Sequence, residues 1–275
     1  MQQVPDLKNA GFRTIFDRVI RDLVAHQRVR GISLHGSMIY GEQDGHSDVD
    51  LDVFVDRTWD DLESFRLDFV DIANSWPPPE ASLRKDHEAL LEAEWGFRVI
   101  GPFLFDLNFE PIASFTEPRI AKILSGELLD TIGMRDLLDG RILYDPRGLI
   151  AGYKRRLRDY PESLARRIVG ERHRSIRTTY AQAMTAIERG DLLSARHAGT
   201  KLAEDAGHLF FALNRTWHPG RKRLLACLGS LPNLPPDLVP QLRQVLVDDL
   251  IDSMNRFGRD LERLHRTIES AIGEP

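Results

Sequence analysis

The run "LHGSMIYGEQDGHSDVDLDVF", residues 34–54, packs a Gly-Ser pair, a polar loop and three aspartates on alternate positions into one short segment. Asp48, Asp50 and Asp52 stand at i, i+2 and i+4, so an extended strand directs all three to one face. Val49, Leu51, Val53 and Phe54 are read as the opposing, core-directed set. Same-face neighbours along a strand are about 6.6 Å apart, and carboxylates at that spacing repel one another. A divalent cation between them reverses the sign of the problem. An all-oxygen ligand set suits Mg²⁺ or Mn²⁺ rather than zinc. Gly36-Ser37 falls at a predicted strand-to-helix junction. Glycine lets a ligand approach the backbone closely, a helix N-terminus offers free N–H groups and a positive dipole end, and the Ser37 hydroxyl adds a donor. One segment thus offers a phosphate cradle and a metal site, and the loop between them lets the chain bring both to one strand end.

Outward from this run, residues 11–30 carry Phe12, Ile15, Phe16, Val19, Ile20, Leu23 and Val24 at helical spacing. "GISLHG" reads as a short strand, "SMIYGE" as a helical turn and "DVDLDVFVD" as a strictly alternating strand. Residues 60–76 read as a helix with an acidic first turn, ended by "PPPE". "GFRVIGPFLFDLNFEPI" reads as one or two strands around Gly101-Pro102. Within it Phe103, Phe105, Leu107 and Phe109 share one face, and Leu104, Asp106, Asn108 and Glu110 the other. Two helical stretches follow, then "RILYDPRG" as a closing strand and turn.

Beyond residue 150 the strand signal disappears. A long helix is expected from "PESLARRIVGERHR" to Gly190, with Asp191 as N-cap of the next helix, which runs to Leu213. A break is expected at Pro219-Gly220, and an amphipathic tail from Pro240 to Ile272. The organisation expected is an α/β (α+β) domain over 1–150 and an all-α helical bundle over 151–275.

The composition agrees with a globular chain: 275 residues, 42% hydrophobic and 29% charged. A net charge of −5 does not indicate an extended nucleic-acid surface. Cys227, the single cysteine, excludes an internal disulfide. The N-terminus has no charged-then-apolar signal pattern, and no apolar run reaches the length of a membrane span. The expectation is a cytoplasmic, soluble protein with no membrane partner.

Gly36-Ser37, ten residues, then Asp48-Val49-Asp50-Leu51 resembles the signature of the DNA polymerase β-type nucleotidyltransferase superfamily. "GRILYDPRG" resembles the strand that closes this domain in antibiotic nucleotidyltransferases. The helical second half is similar in layout to the C-terminal domains of aminoglycoside nucleotidyltransferases and of related bacterial proteins. The resemblance implies a small mixed sheet flanked by helices, with the helical domain closing the acceptor site. It implies transfer of a nucleoside monophosphate, AMP from ATP first among them, to a hydroxyl acceptor with release of pyrophosphate. Asp48 and Asp50 would bind two ions of Mg²⁺ or Mn²⁺. Asp106 would be the third ligand and proton acceptor, and Gly36 and Ser37 would hold the departing phosphates. Asn108 and Glu110 share the face of Asp106 and remain alternatives to it. Asp52 is read as a neighbouring or surface group, since the signature needs only the first two aspartates.

A small molecule such as an aminoglycoside is the first acceptor considered. A protein or tRNA acceptor of the toxin–antitoxin type, and a catalytically silent nucleotide-binding module, are the alternatives. His197, Lys201, Glu204 and His208 form a polar stripe, read either as a solvated helix face or as a cleft lining from which Lys201 reaches the triphosphate. Arg215, Arg221, Lys222 and Arg223, beside Trp217 and His218, read as a surface loop or as a phosphate- or base-binding cluster. Glu88, Glu92 and Glu94 are substrate-contacting candidates, against the plainer reading of a wet helix face.

Overall fold

The structure, a computed structural model, describes residues 5–58, 69, 72–78 and 96–247, with 252, 256, 257, 259 and 266. The expected helix over 60–76 lies largely outside these residues, and Glu88, Glu92 and Glu94 lie wholly outside them. The chain forms two compact units, one of Met1–Ala121 with Asp136–Arg158, the other of Lys122–Arg135 with Asp159–Pro275. Against the single cut expected at residue 150, residues 122–135 join the helical unit and 151–158 stay with the first.

In the first unit α1 (Ala10–Ala25) starts where the Asn9 side chain accepts from the Gly11 and Phe12 N–H groups. It ends earlier than the expected residue 30, because Val29 and Arg30 already belong to strand β1 (Val29–Leu34). The one-turn α2 (Ser37–Tyr40) leads to β2 (Val49–Val55). The stretch around Gly101-Pro102 resolves into two strands, β3 (Phe97–Ile100) and β4 (Phe103–Pro111). A π-helical turn (Ile112–Thr116), α3 (Glu117–Leu124) and α4 (Met134–Asp139) precede β5 (Arg141–Tyr144). The five strands form one sheet in the order β3-β4-β2-β1-β5. It is mixed: β2 and β4 run parallel, and the other pairs are antiparallel. The fold class is thus an α/β (α+β) unit with a small mixed sheet flanked by helices, followed by helices.

Period-two alternation sorts the sheet into an apolar and a polar face. Val49, Leu51, Val53 and Val55 of β2 join Phe103, Phe105, Leu107 and Phe109 of β4 in one buried core. Phe12, Phe16, Val19 and Leu23 of α1 complete that core. Phe12 meets Phe103 edge-on, with ring centroids 4.8 Å apart. Phe54 departs from its expected place. It shares the parity of the aspartates, not of Val53, and its ring packs 6.1 Å from Tyr153.

Tyr153 belongs to α5 (Leu149–Leu157), a helix the sequence reading did not separate from the domain boundary. Ile150 of the same helix seats against Gly31, where a Cβ would stand only 2.8 Å from its Cδ1. These contacts hold 151–158 in the first unit.

The second unit is built on α6 (Glu162–Glu188) and α7 (Leu192–Leu213), followed by α8 (Leu224–Gly229) and α9 (Leu238–Val247). Asp191 caps α7 as expected, accepting from the Ser194 N–H. The expected tail helix is described continuously only as far as Val247. Among the described residues no helix is long and apolar enough to cross a membrane.

Asp145 anchors α5 through both carboxylate oxygens, accepting from Leu149 N at 2.7 Å and Ala151 N at 2.9 Å. Asp145→Ala is expected to lower stability by about 1 kcal/mol, the usual effect of losing a helix-start acceptor. Urea unfolding should show a lower midpoint at an unchanged slope.

Candidate metal centre

Gly36 links β1 to α2 at φ +71° and ψ −155°, a conformation that glycine alone adopts freely. It also lies directly on Asp50: a Cβ there would fall 1.9 Å from Asp50 Oδ2. The Ser37 hydroxyl is buried and, among the described residues, has no hydrogen-bond partner. Gly41 ends α2 in the left-handed region, its N–H bonded to the Ser37 carbonyl. With four residues, α2 carries little macrodipole, so what this turn offers an anion is local N–H and O–H groups rather than a dipole end.

The following loop is shaped by Asp44, which accepts from His46 N at 2.8 Å and Ser47 Oγ at 3.1 Å. The His46 backbone bond, with that from Ser47, holds the Asp44 carboxyl below its ordinary range. The loop delivers Asp48 to the head of β2.

Parallel register then sets Asp50 directly beside Asp106. Carboxylate oxygens of Asp48, Asp50 and Asp106 all lie within 4.8 Å of one another, with Asp50 buried and the other two partly exposed. Three carboxylates this close in a partly buried site strongly favour a cation among them, and an all-oxygen set fits Mg²⁺ or Mn²⁺.

The competitors of Asp106 lie further along the strand. Asn108 pairs in register with Asp52, and Glu110 with Phe54. Glu110 accepts from Thr116 Oγ1 at 3.2 Å. Burial, then the nearby Asp52 charge, push the Glu110 carboxyl up to about 7, against the pull of Thr116, Arg119 and His35.

Asp52 is an ion-pair partner rather than a plain surface group: its Oδ1 lies 3.0 Å from His35 Nε2, and both side chains are largely buried. Burial lowers the basicity of His35, but the Asp52 charge and hydrogen bond, with Asp50 and Asp136 behind them, outweigh it and raise its pKa to about 9. Sequence reasoning missed His35. Its only signal was a polar residue closing an apolar strand, and its partner depends on strand pairing.

The remaining candidates belong to the helical unit. Lys201 Nζ bonds Asp205 Oδ2 at 2.8 Å. Asp205, also missed, is almost fully buried and further accepts from Arg172 and from Ser175 Oγ at 2.7 Å. The polar stripe is not uniformly solvated. His197 is exposed and Glu204 pairs with Arg221, but His208 is buried and stacked on His218 at 4.2 Å. Burial, aided by Arg172 beside it, lowers the His208 pKa to about 4.

Part of the basic segment, Arg215 and Arg221, is likewise paired. Arg215 makes a two-point bond to Glu162 through Nε and Nη2, each at 2.8 Å. Trp217 is buried and packs 4.4 Å from Tyr160, so its ring is not presented for base stacking.

The family described as a domain of unknown function (DUF4037) matches residues 129–224, a span that excludes the three clustered aspartates. No curated protein matches the chain. Among solved structures, the chain is similar to a nucleotidyltransferase-like protein from Exiguobacterium sibiricum 255-15, at 12% identity and a TM-score of 0.46, over 94% of this chain and 75% of that one.

Two outcomes follow from this geometry. Gly36→Ala forces a methyl group into the Asp50 carboxylate and strains the backbone, so Mn²⁺ titration by calorimetry should show binding weakened at least about tenfold, a loss of ~1.4 kcal/mol or more. Glu110 carries a raised folded-state pKa, so the unfolded chain ionises first and stability falls as pH rises from about 4.5 towards 7. Glu110→Gln should therefore be more stable than wild type at pH 8, on the order of 2 kcal/mol, and equal to it near pH 4. Thermal melts across that range measure the difference.

Proposed function

We propose that the chain is a metal-dependent nucleotidyltransferase that moves a nucleoside monophosphate from a nucleoside triphosphate to a hydroxyl acceptor. The observation that carries this reading is the carboxylate cluster of Asp48, Asp50 and Asp106 within 4.8 Å, next to a glycine-serine turn that touches Asp50. A bound Mg²⁺ or Mn²⁺ would supply charge neutralisation to both the entering and leaving oxygens of an in-line displacement.

The residues divide the remaining work. Asp48 and Asp50 hold the cation, and Asp106 adds the third ligand and takes the proton of the attacking hydroxyl. The acceptor oxygen bonds to the α-phosphorus as the bond to the β-phosphate oxygen breaks, and pyrophosphate leaves. Gly36 brings backbone close to the departing phosphates, and the buried Ser37 hydroxyl donates to one of them. A phosphate role for Lys201 requires its ammonium to leave Asp205, which would keep Arg172 and Ser175 as partners.

ATP is the donor and a small molecule such as an aminoglycoside the acceptor under this reading. The test is Mg²⁺-dependent release of pyrophosphate from ATP across a panel of aminoglycosides, tRNA and candidate proteins. Asp48→Asn and Asp50→Asn should each abolish transfer while leaving the circular dichroism spectrum intact. The metal-free melting temperature should hold or rise, since like-charge repulsion is relieved. Near wild-type turnover in either variant, with an established acceptor, would sink the assignment.

A further inference from the structure

Asp52 is the one aspartate of the alternating run that the metal reading leaves without a task. In the sheet it pairs in register with Ser33 of β1, and two residues later the chain presents His35. The His35 main-chain N–H donates to the Asp50 carbonyl at 3.0 Å. Its imidazole Nε2 meets Asp52 Oδ1, also at 3.0 Å, with side chains only 13% and 15% exposed. Gly36 follows at once, pressed against the Asp50 carboxylate. The chain entering the Gly36-Ser37 turn is therefore fastened to β2 twice through His35, by its main chain at position 50 and by its side chain at position 52.

β1 ends at Leu34, and beyond it strand pairing no longer locates the backbone. At Gly36 the chain swings into a conformation with a wide range of low-energy alternatives. A single main-chain hydrogen bond at a fraying strand end would leave the height of the turn above Asp50 poorly defined. The buried imidazole–carboxylate contact removes that freedom. Asp52, Asp50, Asp136 and Glu110 are charged groups that act on the ring.

We propose that His35 and Asp52 are positioning residues that clamp the Gly36-Ser37 turn onto β2, setting where phosphate oxygens bind without touching either the metal or the reacting atoms. The nucleotide part of this inference rests on the nucleotidyltransferase reading, whereas the clamp itself concerns the unliganded fold. Removing the clamp should loosen the turn and weaken phosphate binding, yet leave the carboxylate cluster able to take a cation.

The experiment uses the full chain and pairs contact-removing variants, His35→Ala and Asp52→Ala, with contact-keeping ones, His35→Gln and Asp52→Asn. Hydrogen–deuterium exchange without ligand should speed up about tenfold across residues 36–41 in the alanine variants, with the other strands unchanged. Mn²⁺ affinity measured alone should stay within about twofold of wild type, whereas affinity for Mg²⁺ with a non-hydrolysable ATP analogue should fall about tenfold. In turnover the loss should appear in KM more than in kcat. The double alanine variant should be no weaker than the worse single one, because both remove one contact. His35→Gln and Asp52→Asn should recover most of the affinity.

Unchanged exchange over 36–41 overturns the clamp, as do fully additive single effects. An equal loss of Mn²⁺ and nucleotide binding overturns it too, because the pair would then act through Asp50 itself. If His35→Ala does not fold, Asp52→Ala carries the same comparisons. If the wild-type chain binds Mn²⁺ but no nucleotide, the nucleotidyltransferase reading fails while exchange still decides the clamp.

Discussion

The parallel register between β2 and β4 is the constraint on which the candidate site depends. It sets Asp50 beside Asp106 and, one step along, Asp52 beside Asn108. Nothing local to either strand favours that pairing, since it brings two carboxylates together. The opposite face supplies the driving force. There the same register aligns Val49 with Phe105, Leu51 with Leu107 and Val53 with Phe109, all buried in the core that α1 helps to complete. Apolar burial at roughly 25 cal/mol per Å² over so many large side chains outweighs the repulsion between partly solvated carboxylates. A slip of one residue would turn the aspartates into the core and the phenylalanines out, so a register that suits the core is also the one that assembles the site.

Along the polar face, the acidic residues are compensated in three ways. At one end Asp48, Asp50 and Asp106 converge into a cation-binding arrangement. In the middle Asp52 is neutralised by His35. At the far end Glu110, too buried to ionise readily and still in the field of Asp52, takes a hydrogen bond from Thr116. Beside it the face turns apolar where Phe54 meets Tyr153 of α5. That helix closes the sheet's second face at this end, so the chain up to Arg158 remains part of the first unit.

The helical unit solves a related problem differently. Asp205 is nearly inaccessible, yet it accepts from Arg172 and Ser175 of α6 and from Lys201 of α7. A buried carboxylate with three donors joins the two long helices at a defined rotation, its charge balanced by the cations of Arg172 and Lys201. The match to a family of unknown function, at residues 129–224, falls largely on this unit.

Much of this was legible in the sequence, because alternation and helical spacing are local. Period-two runs marked β2 and β4, the spacing of Phe12, Phe16, Val19 and Leu23 marked α1, and Gly190-Asp191 marked the turn into α7. Gly36, Asp48, Asp50 and Asp106 could be singled out because residues of that chemistry are hard to explain in apolar strands. Other features could not be read in one dimension. Asp106 against Asn108 and Glu110 is a question of register between strands some fifty residues apart, and one strand's parity leaves all three equivalent. His35 acquires meaning only from Asp52 across an antiparallel pair, and Asp205 only from a neighbouring helix. Phe54 was misplaced because hydrophobicity suggested the core, whereas its parity and α5 put it on the other face. The sequence by itself thus determined which residues alternate and which chemistry is present, since both depend on near neighbours. Tertiary structure alone decided which charges meet, since electrostatic partners are chosen by distance in space.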